Sequence, residues 1–142
     1  MNVVRRLMVA FVVFAFAGGA AMAAGESGGT SLIHFRPGSE RLGDVIPYFD
    51  KGVYHVFYLK GSGWGHIASE DLVHWRELPD ALEAGKGPGA PDGQNCWTGS
   101  IVKEGGKYRL FYTGKNSDDP KGEQKVMRAS SPDLVTWTKE PD

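Results

Sequence analysis

Asp44 is a carboxylate without a counterpart. It stands in "GDVIPYFD", at the start of a run of strand-forming residues. Asp71 and Asp133 differ from it, because they occur in two matching turns, "SEDLVHW" and "SPDLVTW". An Asp in such a turn bonds nearby backbone N–H groups, so both read as structural. Asp44 lies ten residues before Tyr54, and the residue ten before the matching Tyr108 is Thr98. What the chain repeats reads as architecture; what it carries once is free for chemistry. A lone carboxylate at the head of a unit's first strand can act as a nucleophile or base. It can equally cap the turn ahead of that strand. Trp64 and Trp97 lie in turn-rich or strand-start sequence, where an aromatic ring stacks on a sugar or packs against its own fold.

The other reactive side chains point away from cofactor chemistry. His34, His55, His66 and His74 lack metal-ligand spacing, so no metal site is expected. Cys96 is the only cysteine. It excludes an intramolecular disulfide and, with no evident base partner, reads as a small buried hydrophobe. "GSGWG" (Gly61–Gly65) is rich in glycine but opens no helix, which argues against a phosphate loop, and no cofactor is expected. A formal net charge of −1 gives no electrostatic reason to bind nucleic acid or an anionic membrane.

The elements that must position Asp44 come in two copies. Tyr54, Phe57 and Tyr58 return as Tyr108, Phe111 and Tyr112, 54 residues on. Asp71, Leu72, Val73 and Trp75 return as Asp133, Leu134, Val135 and Trp137, 62 residues on. The difference falls in "NSDDPKGE" (Asn116–Glu123), a loop of turn formers. Each copy reads as four short strands, and no window shows a helical period. "VIPYF", "VYHVFYL", "GHIAS" and "HWREL" form the first copy; "TGSIVKE", "KYRLFYT", "KVMRAS" and "TWTKE" form the second. Four antiparallel strands per repeat make a propeller blade. Both faces of Val53–Leu59 are largely apolar, as a strand covered on both sides requires. Trp75 and Trp137 read as core or blade-edge packing. "LEAGKGPGAPDGQN" (Leu82–Asn95) is a long loop between the blades, functional or mobile. Two blades alone leave apolar faces uncovered, so either copies assemble or more blades follow.

The first residues read as an export signal. Arg5 and Arg6 precede an apolar run from Leu7 to Phe16, and small residues follow, with Ala21 and Ala23 set for cleavage before Ala24. Residues 1–23 are expected to be removed and the product to be secreted or periplasmic, with no membrane attachment after cleavage. Residues 24–142 then form the N-terminal part of a propeller, blades 1 and 2.

From His34 onward the chain resembles glycoside hydrolase family 32, the invertases and fructanases, and more loosely family 43. "HFRP", "GVYHVFY", "WGHIASEDLVHW" and "LPDAL" match the family's first blade in order. "WTGSIV" is similar to its Phe-Ser-Gly-Ser segment, and "YTG" and "ASSPDLVTW" follow. The resemblance implies a five-bladed propeller that hydrolyses sugar linkages with retention, and carbohydrate as the partner. It places the nucleophile, the Asp of a Trp-Met-Asn-Asp-Pro-Asn-Gly motif, at Asp44, and substrate contacts at Trp64, Trp97 and Thr98. Arg41, Leu42 and Gly43 replace the motif's Trp, Met and Asn, and Leu59 replaces the Gln that ends the second strand. The family's transition-state stabiliser and acid/base motifs come later than residue 142, so this chain by itself is expected to be inactive. The alternatives are a non-catalytic carbohydrate-binding or assembly module, and a family 43-like arabinosidase, xylosidase or related glycosyl phosphorylase.

Overall fold

Backbone hydrogen bonds join the two repeats into two separate sheets. The computed structural model describes residues 34–38, 41–87, 89–120 and 122–140. The export signal expected over residues 1–23 lies outside them. Blade 1 comprises β1 (Gly43–Asp50), β2 (Val53–Lys60), β3 (Gly63–Ser69) and β4 (Trp75–Leu82). Blade 2 comprises β5 (Asn95–Glu104), β6 (Lys107–Lys115), β7 (Gln124–Ser131) and β8 (Thr138–Lys139). Each is an antiparallel meander in chain order, four strands wide. There is no helix among the described residues, and none long and apolar enough to cross a membrane.

Local sequence dictates the turns. Lys51-Gly52 and Gly105-Gly106 join the first two strands of each blade with positive φ at both residues. That is the two-residue hairpin geometry whose twist matches the strands it joins. The turns at Asp71 and Asp133 are built alike. Asp71 Oδ1 accepts from the N–H groups of Val73 and His74 at 2.9 and 2.7 Å, and Asp133 Oδ1 from those of Val135 and Thr136 at the same distances. Leu72 and Leu134 both take positive φ there, and the Trp75 and Trp137 indoles donate to their carbonyls at 3.2 and 3.0 Å.

The core lies between the blades, and it explains why matching residues differ in burial. Phe57 is 0% exposed but its counterpart Phe111 is 36% exposed; Leu134 is 2% exposed but Leu72 is 50% exposed. Phe57 and Leu134 face the junction, where Trp137 meets the Phe57 ring edge-on. Their counterparts lie on the outer faces, and on that of blade 1 Phe35 meets the Trp75 ring with centroids 6.4 Å apart. β5 packs against β1, β2 and β3, so the two first strands adjoin. β3 begins earlier than expected, at Gly63, because only Gly61 and Ser62 make the turn. Gly63 and Gly65 belong to the strand: a Cβ on Gly65 would lie 2.3 Å from the Tyr58 ring.

Candidate active site

Asp44 and Thr98 occupy the same place in two equivalent irregularities. In β1 the register steps by one residue between Gly43, opposite Leu59, and Val45, opposite Tyr58. In β5 it steps between Trp97, opposite Thr113, and Gly99, opposite Tyr112. Asp44 and Thr98 are the extra residues. A bulge frees its residue from the ladder and re-aims the side chain. Both side chains are exposed, and Thr98 Oγ1 donates a hydrogen bond to Asp44 Oδ2 across the blades. The second bulge requires glycine beside it, since a Cβ on Gly99 would lie 1.8 Å from the Phe111 carbonyl oxygen.

Gly43, beside Asp44, stands opposite Leu59 of β2. A Cβ on Gly43 would meet the Leu59 side chain at 3.1 Å, so Leu59 lines the space that a larger residue 43 would need. Trp97 is half-buried, with Lys115 Nζ 5.3 Å from its ring centroid. Trp64 departs from the expected direct sugar contact. Its side chain is 0% exposed, and its indole N–H is shared between the Cys96 and Trp97 carbonyls at 3.2 Å each. With Cys96 N–H donating to the Ser62 carbonyl at 2.8 Å, it clamps the start of β5 to blade 1. Trp64 thus meets the bulged strand β5 through the Cys96 and Trp97 backbone. Ser62 and Leu59 complete the frame; neither carries a reactive group that would single it out in the sequence.

The inter-blade loop is anchored by Asp92, which is 2% exposed. It accepts from the Tyr112 hydroxyl at 2.8 Å, from Cys96 Sγ at 3.4 Å and from Lys139. Burial pushes the Asp92 carboxyl up, but the hydrogen bonds from Lys139 and Tyr112 outweigh it and hold the group below the ordinary range. Burial drives the Cys96 thiol up to about 12, so Cys96 is an inert core residue. His55 Nδ1 and His66 Nε2 meet at 2.9 Å beneath the junction, away from Asp44's bulge. No group of three or more potential metal ligands occurs among the described residues.

Residues 34–142 match the glycosyl hydrolases family 32 N-terminal domain. The chain belongs to glycoside hydrolase family 32. It is similar to the insoluble-isoenzyme β-fructofuranosidase of Arabidopsis thaliana, 36% identical over 124 residues, which cover 76% of this chain and 20% of that protein. The family 32 β-fructofuranosidase structure from Bombyx mori is 28% identical with a TM-score of 0.56, covering 71% of this chain and 23% of that one. A thermostable family-43 glycoside hydrolase shares the fold at 19% identity and a TM-score of 0.59, covering 70% and 32%. The family 32 chain described here spans about a fifth of the length of the curated relatives it matches. Its two sheets are blades of a β-propeller.

Proposed function

We propose that this chain carries the nucleophile of a secreted glycoside hydrolase of the β-fructosidase or invertase type, acting on oligo- or polysaccharides with retention. The observation that carries the reading is the pair of bulges, which lift Asp44 out of a first strand and set it beside Thr98 of the next blade. In this mechanism an Asp44 oxygen attacks the anomeric carbon while the bond to the leaving oxygen breaks, giving a glycosyl ester. A second carboxyl group, about 5–5.5 Å away, first protonates the leaving oxygen. It then takes a proton from the water that cleaves the ester and regenerates Asp44. Thr98 holds one oxygen of Asp44 and leaves the other to react. Trp97 offers a ring for sugar stacking, and Trp64 fixes its backbone.

The second carboxyl is proposed to come from outside the described residues. Glu70, Glu77, Glu104 and Glu123 are all exposed. Glu70, Glu104 and Glu123 are paired with Arg76, Arg109 and Lys115 respectively, and Glu77 sits on the outermost strand of blade 1. Turnover by this chain alone is therefore not expected.

One observation favours a second reading. Gly43 and Leu59 bring no hydrogen-bonding side chain to the wall beside Asp44. A sugar read there by shape, as an arabinosidase or xylosidase of the family 43 type would read it, fits that wall better than one held by amides. A chimaera in which residues 34–140 replace the matching segment of a β-fructofuranosidase tests both readings. Release of fructose from sucrose or levan, abolished by Asp44→Asn, supports the first. Activity only on aryl arabinosides or xylosides supports the second. Wild-type rates in the Asn variant would reduce Asp44 to a strand cap.

A further inference from the structure

A second carboxylate also lacks a counterpart in the repeat. Asp92 lies six residues before Thr98, and the residue six before Asp44 is Gly38. Asp92 is 2% exposed. Its Oδ2 accepts from three strands: from Cys96 Sγ of β5 at 3.4 Å, from the Tyr112 hydroxyl of β6 at 2.8 Å, and from Lys139 Nζ of β8. The Asp92 carbonyl accepts from the Gly85 N–H of the inter-blade loop at 3.2 Å. Glycines keep the place open. A Cβ on Gly85 would lie 2.4 Å from Asp92 Oδ1, and one on Gly114 3.0 Å from Asp92 Cβ. The bond to Lys139 is charge-assisted and buried, which makes this network stiffer than one of neutral hydrogen bonds.

Two of these partners flank the bulge in β5. Cys96 comes just before Trp97 and Thr98, and Tyr112 stands opposite Gly99, the residue after Thr98. β6 presses on the bulge there, since a Cβ on Gly99 would lie 2.7 Å from Tyr112 Cα. Thr98 Oγ1 in turn donates to Asp44 Oδ2. We propose that Asp92 is a positioning residue: by tying Cys96 and Tyr112 to Lys139 it fixes both sides of the β5 bulge and keeps the Thr98 hydroxyl on Asp44. Its effect on turnover rests on the reading of Asp44 as the nucleophile; its effect on Thr98 does not. A small displacement of the group that orients a reacting atom costs about 100-fold in rate. The loss falls on kcat rather than on KM, because Asp92 is buried away from any sugar.

Two measurements test it. In the 142-residue chain, three-bond NMR couplings to Thr98 Cγ2 report the rotamer of that side chain. Expected are a single rotamer in the wild type and averaged couplings in Asp92→Asn. Asp133→Ala, which loosens a turn of the same blade, should keep the single rotamer. In the chimaera, Asp92→Asn should lower kcat about 100-fold and leave KM within about twofold. Thr98→Val should do the same, and the double variant should be no slower than either, because both act through one hydrogen bond. Should Asp92→Asn unfold, Tyr112→Phe replaces it, removing one of the three donors and keeping the ring. Thr98 fixed in one rotamer without Asp92, averaged in the wild type, or equally averaged in Asp133→Ala would overturn the proposal, as would rate losses that add in the double variant. Full turnover by Asp44→Asn would remove the nucleophile reading and leave the rotamer result to decide this one.

Discussion

Lowering the pH from 7 to 5 should destabilise this fold through two histidines. His66 is 1% exposed and stacks on Phe57 with ring centroids 4.1 Å apart. His55 completes the column at 5.1 Å, and its own pKa is lowered by burial. Burial, then the neighbouring His55 and Arg76, lowers the pKa of His66 from 6.5 to about 3. His66 Nδ1 is also buried without a partner, so no carboxylate rewards protonation. The sign follows from proton counting. Below 6.5 the unfolded chain takes up a proton that the folded chain refuses, so stability falls as pH falls, down to about 3. Each pKa unit corresponds to about 1.4 kcal/mol, so at pH 5 the loss from His66 alone is about 2 kcal/mol. For a fold of this size that is a fall in Tm of about 10 °C. Urea unfolding at pH 7 and pH 5, at one protein concentration, measures it. His66→Phe should keep the ring stack and lose most of the pH dependence. The carboxylates with lowered pKa values, such as Asp50 and Asp133, do not interfere, because they release stability only below the ordinary carboxylate range. Equal stability of the wild type at the two pH values, or an undiminished dependence in His66→Phe, would refute the reasoning.

Other consequences are simpler to measure. Gly99→Ala places a methyl group against the Phe111 carbonyl and should cost about 3 kcal/mol in urea unfolding, the top of the usual range for one substitution. Cys96 should resist alkylation at pH 8 in the folded chain and react once it is unfolded, because the residue is 1% exposed and burial pushes its thiol up to about 12. Asp133→Ala should lower Tm more than Asp71→Ala. The two carboxylates make the same turn, but only the first holds a leucine that is buried in the junction.

The repeat was legible because its signals are local. Two-residue glycine turns, the Ser-x-Asp-Leu-Val-x-Trp corners and alternating aromatic strands act within a few residues of themselves. The matching residues Phe111 and Leu72 follow from the same repetition, since each blade repeats the face that its neighbour uses at the junction. The placement of Trp64 was not legible. Among glycines it looks like a displayed ring, yet Gly63 and Gly65 make room for the Leu82 carbonyl and the Tyr58 ring and send the indole into the junction. Nor were the bulges. A one-residue step in register leaves no mark of its own, and the equal spacing of Asp44 and Thr98 from their tyrosines showed only that Asp44 has no carboxylate counterpart. The His55–His66 contact depends on cross-strand register between β2 and β3, which a search for helical metal spacing cannot find.

The central claim is that Asp44 forms the covalent bond to the sugar. The most direct measurement is peptide mass spectrometry of the chimaera after inactivation by a sugar epoxide. The account predicts a single glycosyl adduct on the peptide bearing Asp44, absent from Asp44→Asn and suppressed by excess substrate. An adduct on any other carboxylate, or full inactivation with Asp44 unmodified, would contradict it.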